Sequence, residues 1–346
     1  MKPIYLVFLF IGFTLFGQEP ITNEFTYNEF LGYVKKYHPM VKNANLEVSK
    51  AQANLMMARG GFDPKIEVDF SQKKFKDKEY YSILNSSFKI PTWYGIELKA
   101  GFDNNEGIYL NPENTTPNQG LTSFGISVPI GQGLFINQRM ADVRKAKIQI
   151  KLSESERKLQ AIAILYDASI AYFNWKKNFD EMKLYETYNN NAEIRLTGIK
   201  ALISQGDKPA IDSVEAGISL KNRQLSFEDS KLKLAKSKLE LSNFLWLDNN
   251  IPLEMSDSLI PETALENTLQ ETLKTNDLLQ NDFSLETHPK INALQNKIDI
   301  LNVEKDLKQN MLLPKINVGY SYLSEPSYID NYNFKDYKVG LEFYFH

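Results

Sequence analysis

The residue types that most often carry out chemistry are scarce in this sequence. Its three histidines are His38, His288 and His346, and it contains no cysteine. The lack of cysteine excludes disulfides, cysteine-based zinc sites and a cysteine nucleophile, and three histidines are too few for a histidine-rich metal site. His38 and His288 each precede a proline, which is typical of the start of a helix. We therefore interpret both as helix-entry residues rather than as catalytic groups or metal ligands.

The carboxylates form no recognisable catalytic motif either. Asp180-Glu181 is a pair of adjacent acids, but in a long helix such pairs are surface charges. The sequence lacks Gly-x-Ser-x-Gly, a P-loop, Gly-x-Gly-x-x-Gly and His-Glu-x-x-His. The 43 acidic and 40 basic residues give a net charge of −3, without the basic footprint of a general nucleic-acid binder. We expect neither enzyme activity nor a cofactor or metal, and no nucleic-acid partner.

The first 17 residues have the pattern of an export signal. Lys2 precedes an apolar run from Ile4 to Phe16, and Gly17 precedes polar residues. We interpret residues 1–17 as a secretory signal peptide, with a buried N-terminal helix as the alternative. The run is too short to span a bilayer of about 30 Å as a helix. No later stretch approaches 18 uncharged apolar residues, so any membrane role of the exported chain must use strands.

Two landmarks recur at one offset, which indicates an internal duplication. His38-Pro39 recurs as His288-Pro289, and Pro64-Lys65-Ile66 recurs as Pro314-Lys315-Ile316, each 250 residues later. Between the landmarks each copy has about 24 residues, without internal proline until the second landmark and rich in helix formers. Each copy therefore predicts a helix that begins after His-Pro, ends before Pro-Lys-Ile and is followed by a strand.

Alternating polar and apolar residues predict several strands with two different faces. The clearest runs are 65–71, 96–103, 123–130, 315–322 and 338–345, with a further run at 83–90. Nine aromatic residues fall within the 32 positions of 315–346. Such strands with aromatic flanks are typical of a transmembrane β-barrel, although a soluble antiparallel sheet with one wet face shows the same alternation. The signal peptide favours the membrane, and residues 104–120 predict a polar external loop.

Two very long helices are predicted after the first group of strands. From Ile136 to Ser204 there is no proline, which predicts a helix of roughly 100 Å. A break at Gly206-Asp207-Lys208-Pro209 separates it from a second helix, from about Ala210 to Leu247. Residues 248–286 contain Pro252 and Pro261, and we expect them to form a peripheral linker.

The second predicted helix carries two apolar seams that repeat every seven residues, a coiled-coil pattern. One seam contains Ile211, Ile218, Leu225, Leu232, Leu239 and Trp246, and the other contains Leu220, Phe227, Leu234 and Leu241. The seams are two residues apart, or about 200° around the helix, so each needs its own neighbour. A ring of helices satisfies this requirement, and so does a central position in a three- or four-helix bundle.

The order of these elements resembles the TolC-like outer-membrane efflux protein family. His38-Pro39 and His288-Pro289 are similar to the family's helix-opening pair in each repeat. Gly125-Ile126-Ser127-Val128-Pro129, followed by Gly133, resembles its strand-to-helix junction. Gly206 with Asp212-Ser213-Val214 resembles its turn between the two coiled-coil helices. The resemblance covers essentially all of the chain after the signal peptide.

The resemblance implies an α+β membrane protein that forms a trimeric channel. Transmembrane β-barrel strands would lie in the cell outer membrane, and long coiled-coil helices would form an α-barrel in the periplasm. A periplasmic adaptor and an inner-membrane pump would complete a tripartite efflux or type I secretion system. Asp212 would lie at the periplasmic aperture, or would serve only as a first-turn helix acid. The turn Gln205, Gly206, Asp207, Lys208, Pro209 and Ala210 would lie near the adaptor-docking surface.

The predicted segments depart from the family pattern in two places. Residues 64–130 contain three or four runs where two long strands are expected, and the sequence lacks a second long hairpin after the second group of strands. The segments are signal peptide 1–17, helical segment 18–63, strands 64–130, helical hairpin 131–247, linker 248–286, helix 287–313 and strands 314–346. Alternative functions are a periplasmic coiled-coil adaptor or structural protein, and a non-functional truncated channel.

Overall fold

The computed structural model describes residues 23–273, 285–328 and 335–344. The predicted signal peptide lies outside these residues. In chain order the elements are β1 (Glu24–Phe25), α1 (Tyr27–Tyr37), α2 (Pro39–Gly60), β2 (Lys65–Phe75), β3 (Lys78–Pro91), β4 (Glu97–Glu106), β5 (Leu121–Pro129), α3 (Gln138–Ser204), α4 (Ile211–Ser242), β6 (Ile260–Pro261), α5 (Leu265–Leu273), α6 (Pro289–Met311), β7 (Lys315–Ser324) and β8 (Tyr337–Tyr344).

The chain divides into two compact units. Among the described residues, unit 1 consists of 23–39 and 164–273, and unit 2 consists of 40–163, 285–328 and 335–344. The 67-residue helix α3 contributes residues to both units. It agrees with the single long helix that the proline-free stretch predicts.

The core of unit 1 is an aromatic cluster around α1 and α3. Phe30, Tyr172 and Trp175 are fully buried there, and the Phe30 and Tyr172 ring centroids are 5.5 Å apart. The Tyr172 hydroxyl donates to the Phe25 carbonyl (2.6 Å) and accepts from the Glu262 N–H (3.2 Å). Burial raises the pKa of Tyr172, so the hydroxyl remains a donor at physiological pH. This one side chain therefore connects α3 to the segments around β1 and β6.

The segment predicted as a peripheral linker takes part in this core. β6 pairs with β1 in parallel, and Leu253, Met255 and Leu259 pack against the aromatic cluster. The expectation of a merely peripheral segment was wrong, because its hydrophobic residues are spaced too irregularly for periodicity to reveal their burial.

Unit 2 contains an antiparallel sheet of six strands in the order β2-β3-β4-β5-β7-β8. Residues 64–130 therefore form four strands, in agreement with the extra run at 83–90. The two repeat copies meet where β5 pairs with β7, with Val128 opposite Val318. Each repeat helix lies where the landmarks predict it: α2 begins at Pro39 and α6 at Pro289.

The two histidines lie at helix ends, in agreement with their interpretation. His288 is the N-cap of α6, and its Nδ1 accepts from the Lys290 N–H at 3.2 Å. His38 caps the C-terminus of α1, where its N–H donates to the Val34 carbonyl at 3.1 Å. The first His-Pro pair thus separates two helices.

Helix α4 is shorter than the sequence predicts. It ends at Ser242 rather than near Leu247. Trp246, the last member of the predicted seam, instead forms an isolated bridge with Pro252. The helix stops because Leu245 enters the core of unit 1, and this tertiary contact overrides the helical preference of the sequence.

Candidate functional site

The sheet of unit 2 has one apolar face and one polar face. Directly opposed residues lie on the same face of a sheet, and two rows of such residues cross all six strands. One row contains Ile66, Phe88, Ala100, Phe124, Tyr322 and Tyr337. The adjacent row contains Lys65, Lys89, Lys99, Gly125, Ser321 and Lys338. The alternation within single strands thus extends coherently over the whole sheet.

The apolar face is exposed within the chain itself. Its exposed members are Ile66, Val68, Phe70, Phe88, Leu98, Phe124, Ile126, Tyr320, Tyr337, Val339, Leu341 and Phe343. A contiguous apolar surface of this extent requires a partner or a lipid environment. The opposite face carries its own ion pairs, such as Lys89 with Glu67, and can contact water.

The strand-to-helix junction of unit 2 is held by closely spaced hydrogen bonds. Backbone N–H groups of Ile130 and Gln132 donate to the carbonyls of Ile316 (2.8 Å) and Pro314 (3.0 Å). A side chain at Gly131 would collide with the Pro314 carbonyl, since its Cβ would lie 2.2 Å from that oxygen. The junction predicted from the Val128-Pro129 motif is therefore fixed to the second repeat copy.

The start of α3 is also anchored to the sheet. The Asn137 side chain accepts from the Met140 N–H (2.9 Å) and donates to the Trp93 carbonyl (3.0 Å). Arg139 places two guanidinium nitrogens 3.0 and 2.9 Å from one oxygen of Glu97, the first residue of β4. These contacts fix the direction in which α3 leaves the sheet.

The turn between α3 and α4 contains the sequence-predicted site residues. The Gly206 N–H donates to the Ile203 carbonyl (3.0 Å) and the Asp207 N–H to the Leu202 carbonyl (3.0 Å). With Gly206 at φ +79°, this is a Schellman motif. The residues from Gln205 to Ala210 are all exposed, which makes them accessible to a partner.

Asp212 lies in the first turn of α4, six residues after Gly206. Its carboxylate is half-buried and lies 3.0 Å from the Lys208 ammonium. The positive end of the helix dipole also favours an acid here. The structure thus brings Asp212 and Lys208 of the predicted turn together, and Asp212 has the local role of a first-turn acid.

The two seams of α4 have opposite environments. Leu234 and Leu241 of one seam are buried in unit 1, at 9% and 0% exposure. The other seam remains exposed along its length, with Ile211, Ile218, Leu225, Leu232 and Leu239 each between 59% and 71%. One predicted neighbour is therefore provided by the chain itself, whereas the other seam is left uncovered by the described residues.

A second exposed stripe lies on α6 and was not singled out in the sequence. It contains Ile291, Leu294, Ile298 and Leu301. Their spacing of three and four residues is the heptad signal that marks α4, and applying it to α6 would have found them. The exposed lysines at the β2–β3 turn were also missed.

The described part of the chain contains neither a cluster of side chains that could hold a metal ion nor a helix that could cross a membrane. Within residues 23–273, 285–328 and 335–344, histidine and acidic side chains nowhere gather into a group of three that could hold a metal ion. Over the same residues, none of the helices contains a stretch of sufficient length and hydropathy to cross a membrane.

Solved outer-membrane channels share this architecture. The CmeC outer membrane channel of Campylobacter jejuni matches with a TM-score of 0.53 and 14% identity, over 92% of this chain and 61% of that one. The outer membrane protein VceC of Vibrio cholerae matches with a TM-score of 0.56 and 10% identity, over 92% and 68%. The open MtrE outer membrane channel of Neisseria gonorrhoeae matches with a TM-score of 0.51 and 9% identity, over 91% and 62%.

This chain has the TolC-like fold. No family profile and no curated protein sequence matches it, so the TolC-like fold is established by structure and by the motifs. The chain spans about three fifths to two thirds of the length of these channels. The observed mixture of helices and strands in this chain agrees with the TolC-like fold.

Proposed function

We propose that this chain is the outer-membrane channel component of a tripartite efflux or type I secretion system, where it forms a passive export duct. The observation that carries the proposal is the six-stranded sheet with one exposed apolar face. In a membrane that face contacts lipid, and the polar face lines a water-filled interior. The TolC-like fold supports the outer membrane as the location, with the helices in the periplasm.

The proposal includes assembly into a homotrimer. Three copies together would close a shared β-barrel and a ring of helices, since an open sheet edge is not tolerated in the hydrocarbon region. The exposed seam of α4 supports this arrangement, because an apolar seam of heptad spacing packs against another helix. A neighbouring copy would provide that helix.

The turn from Gln205 to Ala210 is the proposed docking surface for a periplasmic adaptor. Its exposed backbone and its polar side chains, including Asp207 and Lys208, offer groups for hydrogen bonds and ion pairs. An inner-membrane pump would join through the adaptor. In the same arrangement Asp212 would lie at the periplasmic aperture and would take part in the interactions that hold it closed.

Detergent extraction and conductance test the channel. We expect the purified full chain to form trimers by light scattering and to conduct ions in a planar bilayer. A soluble monomer in periplasmic extracts, without pore activity, would refute the proposal.

The aperture role makes a separate prediction for Asp212. The substitution Asp212→Ala removes the 3.0 Å contact with Lys208 and should increase the single-channel conductance or the open probability. Asp207→Ala removes a neighbouring exposed carboxylate and is the matched control. Equal conductance of both variants and the unmodified protein would contradict the aperture role.

A further inference from the structure

The β2–β3 hairpin has a cluster of lysines at its turn, at the opposite end of β2 from the end that follows α2. Residues 73–79 contain Lys73, Lys74, Lys76 and Lys78 but only two acids, Asp77 and Glu79. All are exposed. We call the surface formed by these four lysines with Tyr80 and Tyr109 the distal tip.

The turn geometry indicates that the lysines are not required by the fold. Lys76 and Asp77 have φ of +50° and +58°, the left-handed pair of a two-residue hairpin turn. Asn and Gly are the residues that adopt this geometry with least strain, and a lysine there is uncommon. A side chain kept in an unfavourable backbone conformation points to a role outside the turn itself.

Aromatic contacts hold the hairpin and the β4–β5 loop together as one surface. The Tyr109 N–H donates to the Tyr80 carbonyl at 3.2 Å, and the two ring centroids are 4.8 Å apart. The ammonium group of Lys73 lies 4.9 Å from the Tyr80 ring centroid, and that of Lys78 lies 5.9 Å from the Tyr109 centroid. Lys73 and Lys78 therefore have their cations over aromatic rings.

The lysines of the distal tip form no ion pair among the described residues, although Asp77 and Glu79 lie in the same segment and Glu79 is opposite Lys74 in the sheet. Among the carboxylates of the described residues, none lies within 4.0 Å of the ammonium groups of Lys73, Lys74, Lys76 or Lys78. Farther along the same strand pair, Lys89 is paired with Glu67. With four lysines and two acids the segment carries a net charge of +2, and its ammonium groups are available to an anion from outside the chain.

The position of the cluster identifies the class of that anion. Phe70 on the exposed apolar face lies three residues before Lys73, and Phe75 within the hairpin is 57% exposed. A ligand that meets both surfaces must carry negative charge beside a hydrocarbon part. A lipid with a phosphate in its headgroup has this arrangement, whereas a free phosphate ion has only the charge.

We propose that the distal tip binds the phosphate groups of anionic lipid headgroups at the membrane surface, with the acyl chains against the apolar face of β2. The proposal rests on the proposed insertion of the sheet into the membrane. It assigns a chemical partner to a hairpin that is additional to the two long strands of the TolC-like pattern.

Lipid retention by the full chain tests the proposal. The chain is purified in a non-ionic detergent, titrated with phosphatidylglycerol or phosphatidylcholine, and the retained lipid is counted by native mass spectrometry. The variant Lys73→Gln, Lys74→Gln, Lys76→Gln, Lys78→Gln should retain phosphatidylglycerol roughly tenfold or more weakly. The control Lys183→Gln, Lys231→Gln, Lys233→Gln, Lys236→Gln removes the same charge from exposed helix positions and should retain it as the unmodified chain does.

Three results would overturn the proposal. They are equal retention by the tip variant and the unmodified chain, an equal loss in the helix control, and displacement of the lipid by millimolar inorganic phosphate. The single variant Lys76→Asn controls for misfolding. It removes one charge, and asparagine adopts the left-handed backbone of the turn with less strain than lysine. It should weaken retention without lowering the midpoint of thermal melting.

A carbonate wash separates this proposal from the channel proposal. If membranes release the unmodified chain into the wash, the channel proposal fails. If the unmodified chain and the tip variant both remain in the membrane and retain phosphatidylglycerol equally, only the lipid proposal fails.

Discussion

At the scale of single residues, the turn between α3 and α4 depends on Gly206. Its φ of +79° lies in the left-handed region, and a Cβ there would have no atom within 4 Å. A substitution would therefore be strained by the backbone alone, without a steric collision.

Gly206→Ala should lower the free energy of unfolding by about 1 kcal/mol. Gly198→Ala is the matched control, since Gly198 lies inside α3 with equally open surroundings. The control should raise the stability by about 0.5–1 kcal/mol, because alanine favours the helix. Melting followed by circular dichroism measures both, and a shift of the same sign would contradict the argument.

The environment of His38 should make the stability of unit 1 depend on pH. Its ring stacks on Phe244 with centroids 5.8 Å apart and lies edge-on to Trp246 at 6.4 Å. Burial lowers its pKa below the ordinary value of 6.5. As the pH falls, His38 therefore binds its proton at a higher pH in the unfolded chain than in the folded chain.

Below about pH 6.5 the folded unit should lose stability, until the pH reaches the lowered pKa of folded His38. His38→Gln should reduce this part of the pH dependence, measured as unfolding midpoints in urea between pH 8 and pH 5. His288→Gln is the control on the other repeat copy. An unchanged pH profile in the His38 variant would show that other groups cause the dependence.

At the scale of elements, one seam of α4 packs inside the chain, and the other seam is the proposed contact between copies. Its two seams have the same period, but one faces the core of unit 1 and the other is exposed. Substitutions two residues apart on the same helix therefore test different interactions.

Leu232→Glu should weaken the trimer while the helical content stays unchanged, because Leu232 is 70% exposed in the chain. Leu234→Glu should unfold unit 1, because Leu234 is 9% exposed and its charge would be buried. Light scattering reports the assembly and circular dichroism the helices. A trimer that tolerates Leu232→Glu would exclude this seam as the contact between copies.

At the scale of the whole molecule, the two faces of the sheet favour different environments, one apolar and one aqueous. Ile126 and Ser127 are neighbours on β5, yet Ile126 pairs with Tyr320 on the apolar face and Ser127 with Gly319 on the polar face. A charge at each position therefore enters a different environment.

Ile126→Lys should reduce the fraction of chain that remains in the membrane after a carbonate wash, with a cost of about 2–4 kcal/mol if the site lies near the bilayer centre. Ser127→Lys should remain inserted, because its charge faces water. If both variants behave alike, the apolar face does not contact lipid.

The amino-acid sequence by itself determined the strands, their faces, the long helices and the helix starts after His38 and His288. These features follow from local rules: an alternation of two for strands, the proline at a helix start, and the left-handed glycine at the turn. The motifs around Gly206 also located the candidate turn.

Only the tertiary structure decided which seam of α4 is buried, why that helix ends at Ser242, and how Tyr80 meets Tyr109. Each of these depends on contacts between residues that are distant in the sequence. The periodicity of the sequence does not identify such partners. The same reason explains why the linker's role in the core was missed. Local sterics and spacing therefore define the elements, while long-range packing determines which of their surfaces remain available for function.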